Sequence, residues 1–147
     1  MSGFLLATAL VIAFVAGSVL SLRPSPRQRQ LARLREHAVA AGLRVQWRPG
    51  GQDIAYLLPW ALPDAAMSRG LRFGLERPAG AVWDAGNAGM TDPKIDAALA
   101  VFPATVTIVR AVPEGLQACW NEAGTVDDVE LIARALRELG SALLHDA

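Results

Sequence analysis

Residues Gly3 to Leu22, GFLLATALVIAFVAGSVLSL, form one apolar run without a charged side chain. A helix needs roughly 20 such residues to cross the hydrocarbon core of a bilayer, so the pattern predicts a transmembrane helix over 3–22. Beyond it, Pro24 and Pro26 interrupt the helical path, because each lacks a backbone donor and restricts its predecessor. From Arg27 to Ala41 the apolar residues Leu31, Leu34, Ala38 and Ala41 recur at three- and four-residue spacing, and Gly42 stands where a helix would end. This predicts a basic amphipathic helix within a linker over 23–42. Its apolar face has two destinations, the folded domain or the lipid headgroups.

The period then shortens to two. Leu43, Val45 and Trp47 alternate with Arg44, Gln46 and Arg48, Pro49-Gly50-Gly51 forces a turn, and Ile54 to Leu58 supplies the returning arm. Leu71, Phe73 and Leu75 alternate in the same way, and Ala81 to Trp83 is expected to return antiparallel, completing a four-segment meander. Thr91 or Asp92 followed by Pro93 predicts a capped short helix to about Val101. Thr105 to Val112 and Leu116 to Trp120 read as a hairpin around Pro113-Glu114-Gly115. Thr125 and Asp128 resemble a capping box, and Val129, Ile132, Ala133, Leu136, Leu139 and Leu143 make the apolar stripe of a long final helix. Strands grouped in hairpins favour an α+β domain over 43–147: antiparallel hairpins packed with a short helix and a long C-terminal helix.

Charge sets the expected topology. The formal net charge is zero, yet all 14 acidic residues lie at or after Glu36, whereas Arg23, Arg27, Arg29, Arg33 and Arg35 precede it. A one-sided basic flank holds its side of a span in the cytoplasm, so the N-terminus is expected outside and the domain inside. The five arginines are candidate membrane-surface contacts for anionic headgroups. A cleaved signal sequence is the competing reading, with Ala16-Gly17-Ser18 as the cleavage-like segment; the arginines downstream oppose export. The acidic balance after Glu36 argues against nucleic acid as a partner.

Candidate chemistry is sparse. A single cysteine, Cys119, excludes a disulfide framework or a multi-cysteine metal site within one chain. Cys119 sits in a predicted apolar strand, while His37 and His145 lie on the basic helix and the tail, a poor basis for a nucleophile and its base. Asp127, Asp128 and Glu130 read as helix-start acids rather than metal ligands. Asp84 and Asn87 between glycines lack cation-loop spacing, and no phosphate-binding glycine motif is present. Neither a cofactor nor a catalytic residue is expected. Of the four tryptophans, Trp47, Trp83 and Trp120 fall in predicted strands and are expected in the core. Trp60, in LLPWALPDAAM, either caps the core or, with Leu62, presents a partner contact.

The N-terminal span, the junction SLRPSPRQRQLARLREHAVAAGLRV and the ending ACWNEAG before a helix resemble uncharacterised single-span inner-membrane proteins of Gram-negative bacteria. In layout alone the chain is similar to the small accessory subunit of the Sec translocase. The resemblance carries no catalytic residue. It implies a single-pass inner-membrane location, and the anchor together with the missing catalytic motifs leads to the expectation of a non-enzymatic cytoplasmic accessory module bound to the bilayer and to an unidentified membrane protein. The alternative from another class is a small membrane-bound enzyme or ligand-binding domain with a pocket near Cys119.

Overall fold

The computed structural model describes residues 2–48 and 53–145 and divides into two compact units, Met1–Leu31 and Ala32–Ala147. The expected turn at Pro49-Gly50-Gly51 lies outside the described residues. In the first unit, α1 (Ser2–Ser21) contains a stretch, Gly3–Ser21, long and apolar enough to cross a membrane, a description that a signal sequence also meets. Polar side chains in it are satisfied within the helix: the Thr8 hydroxyl donates to the Phe4 carbonyl and the Ser18 hydroxyl to the Phe14 carbonyl, each one turn back at 2.8 Å. Self-satisfaction of this kind suits a segment without water around it.

Helix α2 (Pro26–Ala40) starts with a reciprocal cap. The Gln28 amide donates to Ser25 Oγ at 3.2 Å, and the Ser25 amide donates to Gln28 Oε1 at 2.8 Å. Pro26 at the first helical position loses no needed donor. The helix ends as its glycine predicts: Gly42 adopts φ +87°, and the Leu43 amide reaches back to the Ala38 carbonyl at 2.9 Å.

The second unit is built on a five-stranded antiparallel sheet, β1 (Arg44–Trp47), β2 (Ile54–Pro59), β3 (Phe73–Glu76), β4 (Val106–Val112) and β5 (Gly115–Trp120), in the order β1-β2-β5-β4-β3. Between the strands lie α3 (Pro63–Ser68) and α4 (Pro93–Ala100), and α5 (Val126–His145) follows the sheet. The α+β class is as the sequence predicts, and so are the strand pairs β1–β2 and β4–β5. The meander is not. β2 pairs with β5, and β3 pairs with β4, which places the last strand at the centre.

The expected strand at Ala81 to Trp83 is also absent, for a visible reason. The long β-branched strand β4 takes the edge of β3, and Arg77 holds the 81–83 segment instead. Its guanidinium donates to the carbonyls of Ala81 at 2.8 Å, Pro103 at 2.7 Å and Val106 at 3.0 Å, and stacks 4.2 Å over the Trp83 ring. Carbonyl oxygens thus satisfy a buried cation without a carboxylate.

Period-two alternation sorts the sheet's two faces. Tyr56, Leu116, Ala118, Trp120, Val106 and Val109 share the face toward the helices, where α5 buries Val129, Ile132, Leu136 and Leu139 completely and α2 contributes Leu34 and Ala38. So the apolar face of α2 beyond Leu31 packs in the domain, the first of its two destinations. Tyr56 and Trp120 meet edge to face at 5.4 Å between centroids. Gly115 is required by this packing: a Cβ there would fall on the Leu58 carbonyl of the adjacent strand, well inside van der Waals contact. The other face carries the row Arg44, Leu57, Gln117, Arg110 and a smaller cluster of Ala55, Ile108 and Cys119. Trp83 and Trp120 are buried as expected, but Trp47, on an edge strand, is 72% exposed. Edge position leaves it one strand neighbour, and Arg35 stacks 4.9 Å from its ring.

Candidate functional site

The arginine collar is divided by the fold. Arg23, Arg27 and Arg29 belong to the first unit and are exposed; Arg27 reaches Gln30 at 3.4 Å and Arg29 the Pro24 carbonyl at 3.2 Å. Arg33 is exposed on α2. Arg35 is committed elsewhere. Its Nε and Nη2 donate to the two carboxylate oxygens of Glu122 at 3.0 and 2.7 Å, a bidentate pair in which the Glu122 side chain is only 3% exposed. The Tyr56 hydroxyl donates to the same carboxylate at 2.9 Å.

These bonds explain the local electrostatics. The hydrogen bond to Glu122 raises the Arg35 pKa, and burial, with the Glu122 charge second, raises that of Tyr56. Glu122 holds a left-handed backbone, φ 53°, which costs a non-glycine residue about 1 to 2 kcal/mol. The strained turn aims its carboxylate inward, where three donors meet it. Sequence reasoning missed this network. Its signal was Arg35 itself, three residues before Ala38 and four after Leu31, a charge on the apolar face of α2 that burial obliges to find a partner.

Trp60 and Leu62 are brought to one place. β2 ends at Pro59, and the chain turns over the end of the sheet before Pro63 starts α3. The Trp60 indole donates to the Val112 carbonyl at 2.9 Å and its ring is buried, while Leu62 is 55% exposed. Trp60 therefore caps the core, and its outer edge with Leu62 forms one wall of a groove of about 400 Å³. Leu58 and Leu116 contribute from the sheet; Gly140 and Leu144 of α5 lie opposite, with Arg137, Ser141 and His145 as the polar groups.

Gly140 is notable within α5. Its φ is ordinary, and an added Cβ would meet Leu116 Cδ1 at 3.5 Å, a normal contact. Neither backbone nor sterics requires glycine, which costs about 1 kcal/mol relative to alanine in a helix. What the missing side chain provides is room in the groove.

A second hollow, about 590 Å³, lies beside Arg77, Trp83, Asp84 and Asp96. Arg77 is bound to carbonyls, and Asp84 accepts from the Asn87 amide and side chain at 3.2 and 2.7 Å, closing its own loop. Cys119 lines neither cavity. Its side chain is fully buried with Arg48 Nη1 3.9 Å from the sulfur, and burial pushes the thiol pKa up against the opposing pull of that arginine. A raised pKa means less thiolate and a weaker nucleophile. His37 pairs with Glu130 at 3.0 Å, and His145 contacts the Ser141 carbonyl, so neither is placed on Cys119. Among the described residues no group of three or more His, Cys, Asp or Glu is placed to hold a metal ion.

No protein family, curated protein or solved structure matches this chain, so the functional reading rests on its own residues.

Proposed function

We propose that the chain is a membrane-anchored, non-enzymatic interaction module that serves a larger membrane complex from the cytoplasmic side. The observation that carries the reading is the apolar groove walled by Trp60 and Leu62. Its exposed leucine, indole edge and sheet-end leucines match the composition of protein contact surfaces better than that of a reaction site. The apolar N-terminal helix supplies the anchor, and the arginines after it supply the cytoplasmic orientation.

The test is a photoactivatable residue placed at Leu62 in the intact chain, with Val82, which is 91% exposed and lies outside the groove, as the control position. Irradiated membranes should yield a discrete adduct from position 62 and none of the same size from position 82. The adduct should disappear when Gly140→Leu fills the groove. Identical patterns from both positions, or an adduct indifferent to the filled groove, would refute the reading.

A further inference from the structure

We infer that the occupant of the groove is a protein segment in which apolar side chains stand next to a carboxylate, an acidic side chain or a chain terminus. This rests on the groove being the contact site and adds the chemistry of what it accepts. The first observation is charge: among the described residues the charged or titratable ones lining the groove are Arg137 and His145, both on α5, and no acid is among them. An entirely apolar segment would leave the Arg137 charge without a counter-ion, whereas a carboxylate beside apolar residues matches both wall and rim.

The second observation is how Arg137 is held. Its Nη2 donates to the Ala41 carbonyl at the end of α2, so the guanidinium is fixed at the rim by a bond that uses one of its five donors. A guanidinium oriented in this way presents a planar fork suited to a carboxylate, with little further ordering required. The third is Gly140. The space it leaves lies one helical turn from Arg137 and Leu144, so an apolar side chain seated there has the cation within reach.

The experiment uses the full chain in phosphatidylcholine nanodiscs, a neutral bilayer that offers no competing anionic headgroup. Random short peptides displayed on phage are selected on it, and the enriched peptides are made with a fluorescent label for anisotropy titrations. Enriched peptides should combine apolar residues with Asp, Glu or a free terminal carboxylate, and Gly140→Leu should abolish their binding. Asp→Asn or Glu→Gln in the peptide should weaken binding roughly tenfold, as loss of a charge-assisted bond does. Arg137→Gln should do the same, and the two changes together should cost no more than either alone. Because the peptide-side substitution leaves the protein untouched, the result does not depend on how the Arg137 variant folds. Peptides blocked by Gly140→Leu but indifferent to their acid would overturn this inference and leave the groove reading standing. Peptides indifferent to Gly140→Leu, or no enrichment, would overturn both.

Discussion

Replacing Arg35 with Ala removes two of the three donors to a carboxylate that is 3% exposed. Breaking a buried ion pair from one side costs about 3 to 5 kcal/mol, because the remaining charge stays desolvated. The Arg35 side chain is 29% exposed, so water can enter the vacated space, which favours the lower end, about 3 kcal/mol. Loss of the stacking on exposed Trp47 adds about 0.5 to 1 kcal/mol. Against a typical total of about 5 to 15 kcal/mol, this is a large fraction. The assay is urea unfolding of the full chain in detergent micelles, followed by tryptophan fluorescence. Arg35→Ala should lower the midpoint strongly without changing the slope. The double variant Arg35→Met with Glu122→Gln should lose less than Arg35→Ala, since no buried charge is then left alone. A loss below about 1 kcal/mol for Arg35→Ala, or a double variant worse than the sum of its singles, would refute the reasoning.

Truncating Leu136 to Ala, at the fully buried centre of α5, should cost about 2 to 5 kcal/mol by the same assay. Gly115→Ala should cost about 1 to 3 kcal/mol, because β5 must move away from the Leu58 carbonyl; the loss should appear as faster amide exchange in β2 and β5. Stability should fall in alkali. Cys119 and Tyr56 have folded pKa values raised above their ordinary 9.0 and 10.0, so above those values the unfolded chain gives up protons that the folded chain retains. Their contribution is complete below about pH 9 and declines as pH rises, and Cys119→Ala should flatten the first part of the decline. Changing Arg23, Arg27, Arg29 and Arg33 to Gln should scramble the location of a reporter fused after Ala147, whereas Arg35→Gln should lower stability and leave orientation unchanged. A parent reporter found outside would refute the cytoplasmic assignment.

The amphipathic helices, the alternating strands and the turn between β4 and β5 were legible because each is written in local spacing. The cap on α4, where Asp92 accepts from the Lys94 amide at 2.8 Å, and the stripe on α5 follow directly from it. Strand order was not legible. Proximity along the chain pairs β1 with β2, but nothing local in Ile54 to Leu58 tells that its other neighbour is Leu116 to Trp120. Ala81 to Trp83 failed as a strand because Arg77, four residues before Ala81, engages its carbonyl together with others more than 20 residues away. Trp47 failed as a core residue because alternation identifies a face of the sheet, not whether the strand is at its edge. Of the candidate site, Trp60 and Leu62 were visible as apolar residues bounded by prolines, whereas the opposing Gly140 and Arg137 entered only through the packing of α5.

The central place of β5 has a consequence for the order of events during synthesis. β1 and β2 can pair early, and β3 and β4 can pair later, but the two ribbons share no edge until residues 115–120 exist to hydrogen-bond with both. A two-stranded ribbon alone is marginal at best. The nascent domain therefore stays open until the ribosome has made β5, while the apolar helix at residues 3–21 emerges far earlier and is available for targeting throughout. Deletion of the last strand would accordingly not yield a smaller folded domain. It would leave a chain in which the inner edges of both ribbons, on β2 and β4, are unpaired, a species prone to associate with other copies of itself.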